Sequence, residues 1–172
     1  MRVRLALLTV FVFAFGVGVG YAAQRMDPSH YRSKSKEDAG KALLQQALIQ
    51  AKDGSWERIA IGRVYYLSGK KNEGQAIFDE VLGKEPDPSD LFRVARVYRE
   101  AGEWPRAKEL FDKSLQLNPK DEKGFAEAGA YYLLNGDRAT AETLFDRSFK
   151  IASEFWATVA AAGAYLGVHP QE

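Results

Sequence analysis

From Trp56 to Ser68 apolar residues recur at every third or fourth position, the spacing that lines one side of a helix. The same spacing returns over Leu91–Ala101 and Phe125–Asn135, and in between over Ala76–Leu82, Ala107–Leu117 and Ala141–Ile151. Six amphipathic helices in succession predict an all-α body.

The helices are marked at a fixed period. Gly69, Gly102 and Gly136 follow one another at spacings of 33 and 34. Four residues before each glycine stands Tyr65, Tyr98 or Tyr132, and nine residues after it Phe78, Phe111 or Phe145. Five after each is a small residue: Gly74, Ala107 or Ala141. Glycine at the end of a helix permits a left-handed turn that stops it. Asp87-Pro88-Ser89-Asp90 supplies a cap, a proline for the first turn and an acid near the positive helix end. Asp121 and Asp137 are comparable caps. Small residues let paired helices approach closely, with the Tyr and Phe side chains filling the layer between them.

This pattern resembles the tetratricopeptide repeat, which combines a small residue, Tyr, Gly, Ala, an aromatic and a closing Pro at set offsets. Aligned on the glycines, units span residues 55–87, 88–121 and 122–155, with Gly62, Ala95 and Gly129 at the small position of each first helix. Pro86 and Pro119 close two units, whereas the third has Ser153. The resemblance implies a right-handed α-solenoid of about three helix-turn-helix hairpins within residues 37–172, with half-repeats at both ends. Glu37–Lys52 looks like the second helix of an upstream hairpin, and Glu154–Val168 like the first helix of a downstream one.

Ahead of this body, Arg2 and Arg4 precede an uncharged stretch from Leu5 to Ala23. Its length sits between a secretory signal and a membrane anchor. Gly20 and Ala22 place small residues where cleavage would release the chain, so residues 1–22 are expected to be a signal peptide or a retained anchor. Either reading implies export, to the periplasm or to the periplasmic face of the inner membrane. Residues 23–36 are polar, contain Pro28, and are expected to form a flexible lead-in.

Composition narrows the chemistry. Lys and Arg total 24 against 23 acids, so no basic field exists to hold nucleic acid, and a membrane is reached only through the N-terminal segment. There is no Cys, which excludes disulfides, thiolate metal sites and a Cys nucleophile. His30 and His169 lie outside every periodic segment. No phosphate loop, Ser/His/Asp set or metal-ligand spacing is present, so no catalytic residue, metal or cofactor is expected.

In this family the concave face of the first helices holds a peptide or helix of a protein partner. The resemblance places Trp56, Ile59, Arg63 and Tyr66 of the first unit there, and Phe92, Arg96 and Arg99 of the second. Arg and aromatics are favoured anchors of binding, and Arg forks a carboxylate well. Equally, Arg63 and Arg96 can pair with Glu57, Glu100 or Glu103 inside the solenoid. The C-terminal segment Phe155–Val168 carries no charge. Phe155, Trp156, Val159, Tyr165 and Leu166 cannot all point inward, so this helix is expected to be a contact surface, with a homodimer one way to cover it. The expected function is a non-enzymatic scaffold or adaptor of the bacterial cell envelope. The alternative is a periplasmic wall- or glycan-processing enzyme with an unrecognised site.

Overall fold

A computed structural model describes residues 26–171. The expected signal peptide or anchor, residues 1–22, lies outside them. Among the described residues there is no strand, and no helix is long and apolar enough to cross a membrane. The chain divides into two compact units, one ending at Gly54 and the other beginning at Ser55.

In the first unit, a single 3-10 turn, Pro28–His30, lies within the stretch expected to be flexible. Asp27 caps it by accepting from the Ser29 amide at 2.8 Å. Helix α1 follows over Lys36–Ala51. Ser35 opens α1 by accepting from the Asp38 amide at 3.1 Å, while its hydroxyl donates to the Asp38 carboxylate at 2.7 Å. The first bond satisfies one of the amides the helix leaves without partners, and the second fixes the hydroxyl that accepts it.

The second unit contains α2 (Ser55–Leu67), α3 (Lys71–Leu82), α4 (Pro88–Glu100), α5 (Trp104–Leu117), α6 (Glu122–Leu134), α7 (Arg138–Ile151) and α8 (Phe155–Tyr165). Helices α2/α3, α4/α5 and α6/α7 pack as hairpins, and α8 packs mainly on α6. The second helices begin earlier than their apolar windows, at Lys71, Trp104 and Arg138, because the preceding turn sets the start. In that turn Gly69, Gly102 and Gly136 have φ of +89°, +77° and +90°. The next amide then reaches back to the tyrosine carbonyl: Lys70 to Tyr65 at 3.0 Å, Glu103 to Tyr98 at 2.8 Å and Asp137 to Tyr132 at 3.0 Å. Helix α8 ends at Tyr165, short of the expected Val168, because Gly167 makes the same turn early, with φ +78°.

Close approach and aromatic filling hold each hairpin together. A Cβ on Gly62 would stand 2.5 Å from the Phe78 ring, and one on Gly129 would stand 2.8 Å from the Phe145 ring. Phe78 and Phe111 are wholly buried, and burial of this kind stabilises by about 1.5–3 kcal/mol per side chain. Tyr98 and Tyr132 are buried as expected, but Tyr65 is only half-buried. Its neighbour Tyr66 fills the core instead, 5.7 Å from the Phe78 ring centre and 5.5 Å from that of Tyr98. Two buried serines repeat one device: Ser114 donates to the Pro88 carbonyl and Ser148 to that of Glu122, each at 2.6 Å. Each tie fastens the end of a second helix to the start of its first, and leaves no buried hydroxyl unpaired.

Candidate binding clefts

Two clefts open between first helices. The smaller, about 140 Å³, lies between α2 and α4 and is lined by Trp56, Ile59, Ala60, Arg63, Arg93, Arg96, Val97 and Glu100. Trp56 is 58% exposed, and the Arg93 guanidinium lies 3.4 Å from its ring centre. A cation over an indole face is held by the ring quadrupole. Arg93 also donates to the Ser89 carbonyl at 3.1 Å. Burial, and then the nearby charge of Arg96, lower its pKa, so a negative group arriving here relieves an existing electrostatic cost.

The other two arginines are forked onto carboxylates. Arg63 Nε meets Glu100 at 2.6 Å while Nη2 grips the second oxygen. Arg96 Nε and Nη2 meet Glu127 at 2.6 and 2.7 Å. Glu127 lines the second cleft, of about 400 Å³, between α6 and α8. Its other walls include Lys123, Trp156, Val159, Ala160 and Gly163, together with Val168–Gln171 of the tail. This cleft is therefore mostly apolar, with Lys123, Glu127, His169 and Gln171 as its polar side chains.

The structure separates the expected groove residues. Trp56, Ile59, Arg63 and Arg96 share the first cleft. Phe92 is core, 6% exposed with its ring edge-on to Phe111 at 4.7 Å. Arg99 lies over Tyr131 at 4.5 Å, with Nη1 3.4 Å from His169 Nδ1, so it meets the tail. Tyr66 lies outside both clefts, at 3% exposure. It donates to Glu103 at 2.7 Å in a network where Lys71 and Arg106 also donate to Glu103, at 2.6 and 3.0 Å. Lys71 foremost holds the Glu103 carboxyl down at about 2, and burial pushes Tyr66 up to about 12. Both groups are thereby fixed in one protonation state near neutrality, as suits a structural tie.

The expected C-terminal surface also divides. Trp156 and Val159 line the second cleft, and Phe155 packs edge-on against Trp156 at 5.1 Å. Tyr165 turns toward α7, 6.0 Å from the Phe145 ring centre, and donates to Glu142 at 3.0 Å. Leu166 is 82% exposed.

Sequence reasoning missed Arg93 and Glu127. A signal for the first exists: Trp56–Arg93, Arg63–Glu100 and Tyr66–Glu103 are each 37 residues apart, one repeat plus one helical turn. Arg96–Glu127 breaks that rule, at 31 residues.

With this geometry in place, the comparisons fit. Residues 88–121 match the family described as tetratricopeptide repeat, and the all-helical hairpins among the described residues are consistent with a solenoid of that repeat. It is 23% identical over 122 residues to the human protein O-mannosyl-transferase TMTC1, covering 70% of this chain and 13% of the relative. It is 26% identical over 98 residues to cellulose synthase operon protein C of Xanthomonas axonopodis pv. citri, covering 54% of this chain and 6% of the relative. The chain therefore spans only a small part of these relatives' length. The repeat itself is a non-catalytic scaffold fold for protein interaction.

Proposed function

We propose that the chain is an exported scaffold of the bacterial envelope, binding an extended segment or helix of a protein partner along its first helices. The carrying observation is the first cleft, where Trp56 stands exposed with Arg93 laid on its face and no carboxylate paired to that guanidinium among the described residues. Such a site suits a peptide that brings an acidic side chain to Arg93 and an apolar one to the indole. The apolar second cleft continues the same class of surface. Export rests on the pattern of residues 1–23. The relatives' names, a mannosyl-transferase and a cellulose synthase operon protein, support a place beside larger glycan-handling machinery. The chain has no catalysis of its own in this reading, its strongly perturbed carboxylate Glu103 being held by ion pairs rather than aimed into a cleft.

The test is a photo-crosslinking residue placed in the full chain at Trp56 or Val159, with Lys113 as an exposed control, in the native envelope. Discrete adducts of one mass at the cleft positions and none at Lys113 are expected. Equal labelling at Lys113, or no adduct at either cleft position, would refute the site.

A further inference from the structure

The first and third hairpins each set a large ring on the small residue of their first helix. A Cβ on Gly62 would stand 2.5 Å from the Phe78 ring, and one on Gly129 2.8 Å from that of Phe145. Gly163 of α8 stands 34 residues after Gly129, in the same register. What lies on it is different. The atoms near a Gly163 Cβ are the Val168 carbonyl oxygen, at 3.4 Å, and Val168 Cβ, at 3.7 Å. Phe78 and Phe145 are 0% and 5% exposed, whereas Val168 is 59% exposed. Valine covers this notch without filling it.

Val168 is also the root of a strap. Its amide donates to the Gly163 carbonyl at 2.8 Å. The next residue, His169, brings Nδ1 to 3.4 Å from Arg99 Nη1 on α4, and that guanidinium lies over Tyr131 of α6 at 4.5 Å. The segment Val168–Gln171 therefore reaches from α8 toward α4 and lines the second cleft on the way. Pro170 biases His169 toward the extended backbone such a crossing needs. His169 and Gln171 are exposed like Val168, and Pro170 is half-buried. A segment this open has little apolar area to hold it down.

We infer that Val168–Gln171 is a displaceable occupant of the second cleft, and that a partner segment opens the cleft by setting a large apolar side chain over Gly163 in place of Val168. This rests on the second cleft being a partner surface, and it adds the group recognised there and the order of events. A leucine or aromatic side chain entering the notch removes more apolar area from water than the exposed valine does, which drives the exchange. Until it enters, the seated strap lowers the apparent affinity of any segment that needs the notch, by the fraction of chains in which it has lifted. Segments without a large apolar residue gain nothing to offset that loss.

Two measurements on the full chain test this. The first asks whether the strap is seated. A Cβ separation of 3.7 Å suits a disulfide, and the chain has no Cys of its own. Gly163→Cys/Val168→Cys is expected to oxidise to an intramolecular disulfide, and failure of the two thiols to pair overturns the strap. The second asks whether it is displaced. A photo-crosslinking residue is placed at Val159 for this cleft, or at Trp56 for the other, and the protein is irradiated in its native envelope. In His169→Gly/Pro170→Gly, which loosens the strap, the yield of adducts at Val159 is expected to rise at least about three-fold. In Gly163→Val the added side chain meets only the strap among the described residues. It unseats the strap yet fills the notch, so adducts at Val159 are expected to disappear. Adducts at Trp56 should persist in both variants, and circular dichroism should show the fold unchanged. Val159 adducts of equal yield in wild type and the loosened variant overturn the strap and leave the cleft as a partner surface. Undiminished adducts in Gly163→Val overturn the notch as the recognised feature. Absence of Val159 adducts from every protein overturns the inference and the partner surface together.

Discussion

Arg96 and Glu127 meet as a two-pronged ion pair at 2.6 and 2.7 Å, and each residue lines a different cleft. The pair thus stands between the two candidate binding surfaces and ties the second first-helix to the third. Its side chains are only 26% and 16% exposed, so it is far from a loose surface contact. Glu127 also accepts from the Tyr131 hydroxyl at 3.0 Å.

Breaking it is expected to be costly from either side. Glu127→Ala leaves a half-buried guanidinium and a buried phenol short of an acceptor, and should destabilise by about 1–3 kcal/mol. Arg96→Ala should cost a similar amount, and the double variant less than the sum of the two. Urea denaturation of the four proteins measures this; purely additive costs would show that the residues act separately.

The Glu103 network sets an acid limit. Its carboxyl is held at about 2, from an ordinary 4.5, first by Lys71 and then by the Tyr66 and Arg106 bonds. A depressed folded-state pKa contributes stability that is fully present above 4.5 and is lost as pH falls toward 2. Hydrogen bonds from Ser89 to Asp87, and from Thr140 to Asp137, lower those caps and act in the same direction. The melting temperature should therefore fall steadily between pH 4.5 and 2. Glu103→Gln should lower it at pH 6 and shrink the acid-induced drop; an unchanged drop would remove Glu103 as a cause.

Export with processing at the small residues predicts that the protein recovered from its native envelope begins at Ala23. Intact-mass measurement checks this directly. A mass that retains residues 1–22 would favour the anchor instead.

The architecture was legible because a repeat multiplies each weak signal. Gly69, Gly102 and Gly136 mark three turns, and the structure gives all three the same left-handed geometry. The clefts were less legible. Family register put Tyr66 on the binding face, but a half-buried Tyr65 leaves Tyr66 to fill the core between Phe78 and Tyr98. Arg63 and Arg96 were legible as arginines with two possible fates. Which fate holds depends on the offset between neighbouring first helices, 37 residues for Arg63–Glu100 but 31 for Arg96–Glu127. That offset comes from how the repeats stack, and no single helix encodes it. The Val168–Gln171 wall depended on the early turn at Gly167, a residue outside the repeating set.

Two helical glycines should respond oppositely to the same change. In an unconstrained helix Gly→Ala is worth about 1 kcal/mol in favour of alanine. Gly40 in α1 has nothing within 4 Å of a new methyl, so Gly40→Ala should gain most of that and slow amide exchange in α1. Gly74 in α3 is different: its methyl would lie 2.6 Å from the Gly62 carbonyl oxygen and 2.8 Å from the Tyr66 nitrogen, both backbone atoms that no rotamer change can move. Helices α2 and α3 would have to separate, loosening Phe78 from its place over Gly62. Overpacking of this kind costs about 1–3 kcal/mol, which outweighs the propensity gain. Gly74→Ala should therefore lower the melting temperature although alanine serves at the equivalent Ala107 and Ala141. Those hairpins accommodate the methyl with both alanines wholly buried. A stabilised Gly74→Ala protein would mean that the first hairpin is not held at its close spacing by Gly74.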